Sequence, residues 1–370
     1  VQVLPFAALE GRRSAQDDKR NESGMAVAPR QRMTSDRVAL SYILPLKVAT
    51  PHADGELVTY LRWLAPRAEV IVVDGSPPEV FARHAVAWGD VVRHLRPAPD
   101  LATPMGKVGG VLTGLRVASH ERVVIADDDV RYDERSLARI VRELDDAHVV
   151  RPQNYFTPLP WHARWDTGRM LLNRMLGGDW PGTLGVRRSI LRATGGYDGR
   201  AMFENLELVR TVLAAGGTEA VPLDLFVARR PSTTRHFWSQ RVRQAYDELA
   251  RPPRLAAQLA VLPLAVVGAM TIGWPALAAG AVFIAGAAEL GRRRAGGRSV
   301  FPAAASLLAP AWVAERAVCS WLAVAARLAI GGVPYRGTVL RHAATPMRVL
   351  RERLAPPAPM EQHAPPRRSA

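Results

Sequence analysis

The sequence predicts an open α/β fold, a mostly parallel sheet flanked by helices, followed by a C-terminal pair of membrane-spanning helices. Three observations carry this expectation. Short β-branched runs alternate with helical stripes from residue 38 to residue 144, the pattern of βαβ units. One of those runs, Val123-Val124-Ile125-Ala126, ends in three consecutive acids, Asp127-Asp128-Asp129. Residues 255–290 hold no charged side chain before Glu289, which leaves room for two bilayer crossings.

The elements follow in order. Residues 38–46 (VALSYILPL) read as a first buried strand, and residues 54–64 carry a helical stripe of Leu57, Tyr60, Leu61 and Leu64. The run 69–76 (EVIVVDGS) is a strand that ends in Asp74 and a tight turn. Residues 78–88 read as a helix, 91–95 as a strand, 108–118 as a helix and 122–126 as the strand that feeds the aspartates. Asp133-Glu134, with the stripe Leu137, Ile140, Val141 and Leu144, predicts the next helix. Beyond Gln153 the pattern turns irregular, with Pro158, Pro160, Trp161, Trp165, Trp180 and Gly177-Gly178. Binding loops ride on a rigid sheet and aromatic faces suit sugars or lipid, although tryptophans are as often core. A short helix, 187–193, lies between Gly182–Gly185 and Gly195-Gly196-Tyr197-Asp198, and a longer one, 204–215, stops at Gly216-Gly217.

Charge narrows the class. The chain of 370 residues is 48% hydrophobic, ample for a core, and carries a net charge of +15. Residues 37–250 are nearly balanced, with 28 Lys/Arg against 25 acids, whereas residues 251–370 hold 15 against 4. The excess therefore sits beside the apolar stretches, where it reads as membrane-surface charge. No zinc-finger spacing and no basic stretch interleaved with aromatics supports a nucleic-acid partner. One cysteine, Cys319, excludes a disulfide framework and reads as a packing residue. Residues 1–36 are polar, mixed in charge and expected to be disordered, without a signal peptide, and Met25 or Met33 could equally be a natural start.

The aspartates carry the chemistry. At the end of a buried strand they stand where ligands of open α/β sheets bind. Mg²⁺ usually takes one or two protein carboxylates and completes its shell with water and phosphate oxygens, so Asp127 and Asp129 point to a divalent cation and a phosphorylated substrate. A solvated acidic turn capping the following helix would use the same residues.

Taken jointly, the landmarks from Ser41 to Tyr246 resemble the family-2 glycosyltransferases, inverting sugar transferases built on a nucleotide-binding sheet of the GT-A type. Pro45-Leu46 resembles the end of that family's first strand. Val72-Val73-Asp74-Gly75-Ser76 resembles its second, whose acid contacts the nucleotide base, a role that falls to Asp74. Gly106-Lys107 with Gly109-Gly110 and Gly114 resembles a Gly-Lys helix start, where Lys107 could reach a phosphate or remain a solvated helix-start lysine. Asp127-Asp128-Asp129 matches the Asp-x-Asp motif that holds Mg²⁺ or Mn²⁺ on the sugar diphosphate. Gly182–Arg188 with Gly195–Asp198 resembles the acceptor-side element.

Two departures accompany the resemblance. Glu204-Asn205-Leu206-Glu207-Leu208 stands where the family has Glu-Asp-x-x-Leu, so the usual base is Asn205. Asn205 cannot accept a proton at neutral pH, which moves the expected base to Glu204, with Glu207 as an alternative that has Arg210 as a helical neighbour. Gln240-Arg241-Val242-Arg243-Gln244 resembles Gln-x-x-Arg-Trp of processive relatives, with Gln244 replacing the tryptophan. Arg241 and Arg243 become candidate diphosphate partners, or interfacial charges ahead of the membrane segment.

Gly273-Trp274-Pro275 breaks the uncharged run into two spans. Arg251 and Arg254 precede them and Arg292-Arg293-Arg294 follow, so the positive-inside rule puts both ends, and the catalytic domain, in the cytoplasm. Residues 300–333 are apolar but interrupted by Pro302, Pro310, Glu315, Arg316 and Arg327, which predicts an amphipathic helix in the membrane interface. Gly331–Gly337 resembles a tail element of members that glycosylate lipids, and the Pro-rich end, 356–370, is expected to be disordered. The expected domains are therefore a tail (1–36), a GT-A-like catalytic domain (37–250), a transmembrane hairpin (251–291), an interfacial region (292–355) and a second tail. The expected function is transfer of a sugar from a nucleotide-sugar donor to a lipid or lipid-linked acceptor. The alternative is a non-catalytic membrane protein that keeps the pocket.

Overall fold

The computed structural model describes residues 38–49, 55–335 and 338–355. Both expected tails lie outside the described residues, as does the start of the first helix.

Strand β1 (Leu40–Leu46) is followed by α1 (Glu56–Leu64), β2 (Glu69–Asp74), α2 (Pro78–Trp88) and β3 (Arg93–Leu95). Next come α3 (Gly106–Val117), β4 (Arg122–Ala126), β5 (Val130–Arg131), α4 (Glu134–Asp146), β6 (Val149–Val150) and β7 (Gln153–Phe156). Then follow α5 (Trp161–Met175), β8 (Thr183–Arg187), α6 (Arg188–Ala193), α7 (Glu204–Ala214), β9 (Glu219–Ala220) and β10 (Phe226–Arg229). The chain continues through α8 (Thr234–Ser239), α9 (Arg241–Tyr246), α10 (Pro252–Thr271), α11 (Trp274–Arg293) and α12 (Ala303–Ile330). A hairpin of β11 (Val333–Tyr335) and β12 (Thr338–Leu340) leads to α13 (Met347–Leu354).

The main sheet has seven strands in the order β3-β2-β1-β4-β8-β6-β9. The pairs β3/β2, β2/β1, β1/β4 and β6/β9 are parallel, and β8 runs antiparallel to both β4 and β6. This is the mixed α/β architecture with a mostly parallel sheet that the strand-helix alternation predicts. Apolar layers cover both faces. Leu40, Tyr42 and Leu44 of β1 pack with Leu57 and Leu61 of α1 and Ile140 of α4, while Ile43, Val73 and Ile125 pack with Val108 and Val111 of α3 on the other side. Alternation along each strand sends neighbours to opposite layers, and each fully buried Leu or Ile contributes about 1.5–3 kcal/mol.

Local chemistry fixes the helix starts. Asp133 accepts from the Ser136 amide at 2.7 Å while Ser136 Oγ accepts from the Asp133 amide at 2.9 Å, a reciprocal cap on α4. Helix α3 lies close on β1 because its glycines leave space: a Cβ on Gly110 would stand 3.0 Å from Pro45 Cβ. That contact sets Lys107, near the start of α3, beside the ends of β1 and β4.

A second sheet, β5-β10-β7, hangs beyond the aspartates, with β10 antiparallel to β5 and parallel to β7. Sequence reading missed β10, whose four residues lie between loops.

The C-terminal third differs from the expected arrangement in one respect. Helix α10 and the stretch Trp274–Ser299 containing α11 are long and apolar enough to cross a membrane, with mean hydropathies of 1.6 and 1.4. They break at Gly273, whose φ of 87° favours glycine, and α10 has no buried residue. Helix α12 is continuous through Pro310 and packs along α5, with Ala305, Ala309, Trp312, Arg316 and Ala323 buried. Glu315 and Arg316, which break the apolar pattern, face partners in the sheet domain rather than an interface. Residues 333–354, expected with the interfacial region, return to that domain as well. The Met202 and Phe203 amides donate to the His342 and Ala343 carbonyls, each at 2.8 Å, and α13 packs on α7.

Candidate active site

Strand β4 ends at Ala126, and the aspartates form the turn that follows. The Asp127 amide donates to the Gly182 carbonyl at 2.9 Å, and the Val130 amide closes the turn on the Asp127 carbonyl at 3.1 Å. Because this is a turn, side chains do not alternate: Asp127 and Asp128 both line the cavity beside α3.

Two cations converge on the triplet. Lys107 Nζ lies 2.6 Å from Asp127 Oδ1 and 2.8 Å from Glu204 Oε1, linking the starts of α3 and α7 across the end of β4. Burial opposes the charge on Lys107, but Asp127 and Glu204 outweigh it and hold the ammonium protonated. Arg229 at the end of β10 places Nε 2.9 Å from Asp129 Oδ2 and Nη2 3.6 Å from Asp127 Oδ2. The antiparallel β5/β10 pairing, with the Arg230 amide donating to the Asp129 carbonyl at 2.7 Å, puts Arg229 there. Nothing in the local sequence singles it out beyond the run Ala228-Arg229-Arg230-Pro231 after an apolar stretch.

Burial pushes the Asp129 carboxyl up to about 6, with Asp127 and Asp128 adding to the rise and Arg229 opposing it. Its Oδ1 is buried without a hydrogen-bond partner. An unpartnered oxygen and mutually repelling carboxylates fit a divalent cation. Among the described residues no three His, Cys, Asp or Glu side chains form a complete metal cage, so such an ion would take the rest of its shell from phosphate and water.

Three cavities meet at Asp127. The first, about 480 Å³, lies against Pro45, Gly75, Pro97, Lys107 and Asp128, within the range of small-molecule sites. A second, about 280 Å³, shares Lys107, Asp128 and Tyr335 with the first and adds Asp129, Arg229 and Arg243. A third, about 200 Å³, lies between Trp180, Asn205, Arg251 and, from α12, Trp312 and Arg316. Glu204 and Asp247 line both the second and the third.

The structure brings Pro45, Lys107, Asp127, Asp129, Glu204 and Arg243 to these walls. Asp74 and Arg241 are elsewhere. Asp74 is 0% exposed, with Oδ1 accepting from the Ser76 amide at 2.9 Å and Oδ2 held by His84 at 2.7 Å and His94 at 3.2 Å. Burial would raise its pKa, but the bonds from His94, Ser76 and His84 outweigh it and hold the carboxyl well below the usual range. Strand alternation turns it toward α2, and its neighbours Val73 and Gly75 face the cavity instead. Arg241, 2% exposed, lies 3.0 Å from Asp166 Oδ1 of α5 and pairs with Glu315 of α12. It joins three helices and does not reach the cavities.

Asn205 donates through Nδ2 to the Pro181 carbonyl at 2.9 Å, holding the loop that leads into β8. Glu207 is fully buried and accepts from the Thr345 amide at 2.6 Å, while Arg210 donates to the Thr345 and Ala250 carbonyls. The expected surface pair between Glu207 and Arg210 is replaced by anchors for the C-terminal return.

No protein-family model matches the chain, and no curated protein matches it. Among solved structures, a mannosyltransferase from Pyrobaculum calidifontis in complex with GDP-Man and Mn²⁺ is similar at 21% identity and a TM-score of 0.43, over 77% of this chain and 88% of that one. S. aureus TarS 1-349 with UDP-GlcNAc is similar at 15% identity and 0.37, over 54% and 60%. Glucosyl-3-phosphoglycerate synthase from Mycobacterium tuberculosis with Mn²⁺, UDP-Glc and phosphoglyceric acid is similar at 20% and 0.37, over 53% and 73%. These neighbours are GT-A type glycosyltransferases.

Proposed function

We propose that the protein is a membrane-anchored, inverting glycosyltransferase that moves a sugar from a nucleotide-sugar donor to a lipid or lipid-linked hydroxyl. The observation that carries this reading is the placement of Asp127, which Lys107 and Arg229 flank and which all three cavities share.

The first cavity is the donor side and takes the nucleoside between Pro45, Gly75 and Pro97. Asp127 and Asp129 would hold Mg²⁺ or Mn²⁺, which supplies charge neutralisation at the diphosphate. Lys107, Arg229 and Arg243 stand around the same space with fixed positive charge, placed to stabilise a departing nucleoside diphosphate. The third cavity receives the acceptor, with Trp180 and Trp312 in its wall. Two carboxylates face its junction with the second cavity and could take the acceptor's proton: Glu204, expected from the sequence, and Asp247.

The membrane part of the proposal is supported by α10 and α11, which leave Val266, Met270, Trp274, Val282 and Phe283 more than half exposed. A bilayer would cover that surface. The arginines at both ends favour a hairpin with its ends, and the catalytic domain, on the cytoplasmic side.

The test is a nucleotide-sugar screen of the full chain in detergent, with Mn²⁺ or EDTA, followed by nucleoside diphosphate release on adding lipid extract. Metal-dependent binding with turnover supports the enzyme. Binding without turnover on any extract favours the non-catalytic reading, which the structural use of Asn205 makes a definite alternative. Absence of metal-dependent binding overturns both.

A further inference from the structure

Sugar transfer to a hydroxyl needs a proton acceptor within hydrogen-bond reach of that hydroxyl. The group has to stand where the acceptor's cavity opens into the one beside Asp127 and Asp129, and the cavity walls narrow the choice. Asn205 lines only the acceptor side and its amide is committed to Pro181. Glu204 reaches both cavities but faces the Lys107 ammonium at 2.8 Å, whose other contact is Asp127. The Glu204 carboxylate is thus already engaged by an ammonium that it shares with Asp127.

Asp247 opens a 3₁₀ turn, Asp247–Ala250, between α9 and α10, and it also lines both cavities. Its Oδ1 is buried without a hydrogen-bond partner, and the nearby Arg251 donates to Glu248 at 2.8 Å instead. The charged groups that face it are Glu204 from α7, Arg243 from α9, Glu248 from its own turn and Arg251 between that turn and α10. Arg254 of α10 and Arg316 of α12 stand across the acceptor cavity. No metal-ligand candidate is among its neighbours in sequence.

We propose that Asp247 is the proton acceptor of the transfer, with Glu204 acting as the positioning residue that holds Lys107 beside Asp127. This assignment rests on the glycosyltransferase reading. In the step, the acceptor hydroxyl oxygen bonds to the anomeric carbon and its proton passes to the Asp247 carboxylate. The bond from that carbon to the phosphate oxygen breaks, and its electron pair leaves with the nucleoside diphosphate. Burial, reinforced by the Glu204 charge, pushes Asp247 up to about 8, near the pH at which a general base works best. Only the deprotonated form accepts a proton, so transfer rises with pH through that value and levels above it.

The experiment compares the parent, Asp247→Asn and Asp247→Glu as full chains in detergent. GDP-mannose, UDP-glucose and UDP-N-acetylglucosamine with Mn²⁺ serve as binding probes, and nucleoside diphosphate release with lipid extract gives the rate across pH. Asp247→Asn should bind the parent's donor unchanged, lose transfer by about 100-fold or more and lose the alkaline rise. Asp247→Glu should restore part of the rate. Parent-like transfer by Asp247→Asn, with donor binding intact, overturns the assignment and leaves the function standing. Loss of donor binding in both variants makes Asp247 structural and also overturns it. A parent that binds no probe, or binds and never turns over, removes the glycosyltransferase reading and the assignment with it.

Discussion

Replacing Arg241 by Met separates a ligand contact from a structural one. In the family resemblance Arg241 meets the diphosphate, so its loss would weaken donor binding and leave the fold alone. In the structure its guanidinium is 2% exposed, 3.0 Å from Asp166 and paired with Glu315, and so ties α9 to α5 and α12. Breaking a buried pair costs about 3–5 kcal/mol because the remaining charges stay desolvated. Asp166 keeps Arg169 at 2.9 Å, which places the expected loss near the lower end, about 3 kcal/mol. That is a large share of a typical total of about 5–15 kcal/mol. Thermal unfolding in detergent, followed by fluorescence of the buried tryptophans, should show a clear fall in Tm. The pH dependence gives a second readout. Burial would raise the Asp166 pKa, but Arg169 and Arg241 outweigh it and hold the carboxyl below its ordinary value. A depressed carboxylate contributes stability that is full above its unfolded pKa of about 4 and is lost as pH falls. Arg241→Met should therefore shrink the difference in stability between neutral and acid pH. An unchanged Tm together with weakened nucleotide-sugar binding would refute the structural role.

Other sites give sharper functional or packing outcomes. Asp127→Asn and Asp129→Asn should each abolish turnover and weaken donor binding only when Mn²⁺ is present, and chelation should reproduce both effects in the parent; a metal-independent parent rate would count against the cation site. A Cβ at Gly182 would stand 2.8 Å from Asp127 Oδ2 and 3.1 Å from Arg229 Cζ, so Gly182→Ala should displace those side-chain ends and lower donor affinity with little change in Tm. At Gly291 the added Cβ would collide with the Leu171 carbonyl and stand 2.9 Å from the Met175 amide, both backbone groups of α5; Gly291→Ala should cost at least about 1–3 kcal/mol, and an unchanged Tm would show that α11 does not pack this closely. The intact chain should stay in the membrane fraction after high-salt and carbonate washes, since apolar burial resists both; release without detergent would contradict the spanning hairpin.

The parts of the fold legible in the sequence are those where one physical pattern acts alone. Buried strands of β-branched residues and helices with a single apolar stripe mark β1 to β4 and α1 to α4 to within two residues at most boundaries. Strand β10 escaped because its four residues have no burial pattern of their own and exist through pairing with β5 and β7. Helix α12 was visible as a helix but not in its surroundings. Glu315 and Arg316 look like solvent or headgroup contacts in a linear reading, since charges in apolar helices usually seek water. Their partners, Arg241 and Gln244, lie more than seventy positions upstream, and no periodicity announces a pairing over that separation.

The site divides along the same line. The aspartates were legible because three acids after an apolar strand have few inexpensive structural uses, and Lys107 because a helix start beside them is a natural phosphate position. The second motif misled in a physical way. Asp74 sits at the correct end of its strand, yet His84 and His94 engage it, and neither histidine belongs to a recognisable spacing. The exchange at position 205 shows the same dependence on three dimensions. An amide there fits its observed work of holding Pro181, since Nδ2 must donate to a carbonyl and a carboxylate cannot. If a carboxylate is still required at the junction of the cavities, it has to arrive from another element. Asp247 meets that requirement from a turn forty-two positions later, at the entrance to α10, where it reads in sequence as one more acid before a basic, apolar segment. The proton acceptor and the first apolar helix would then share one short turn, so the way α10 is seated would bear directly on the geometry of transfer.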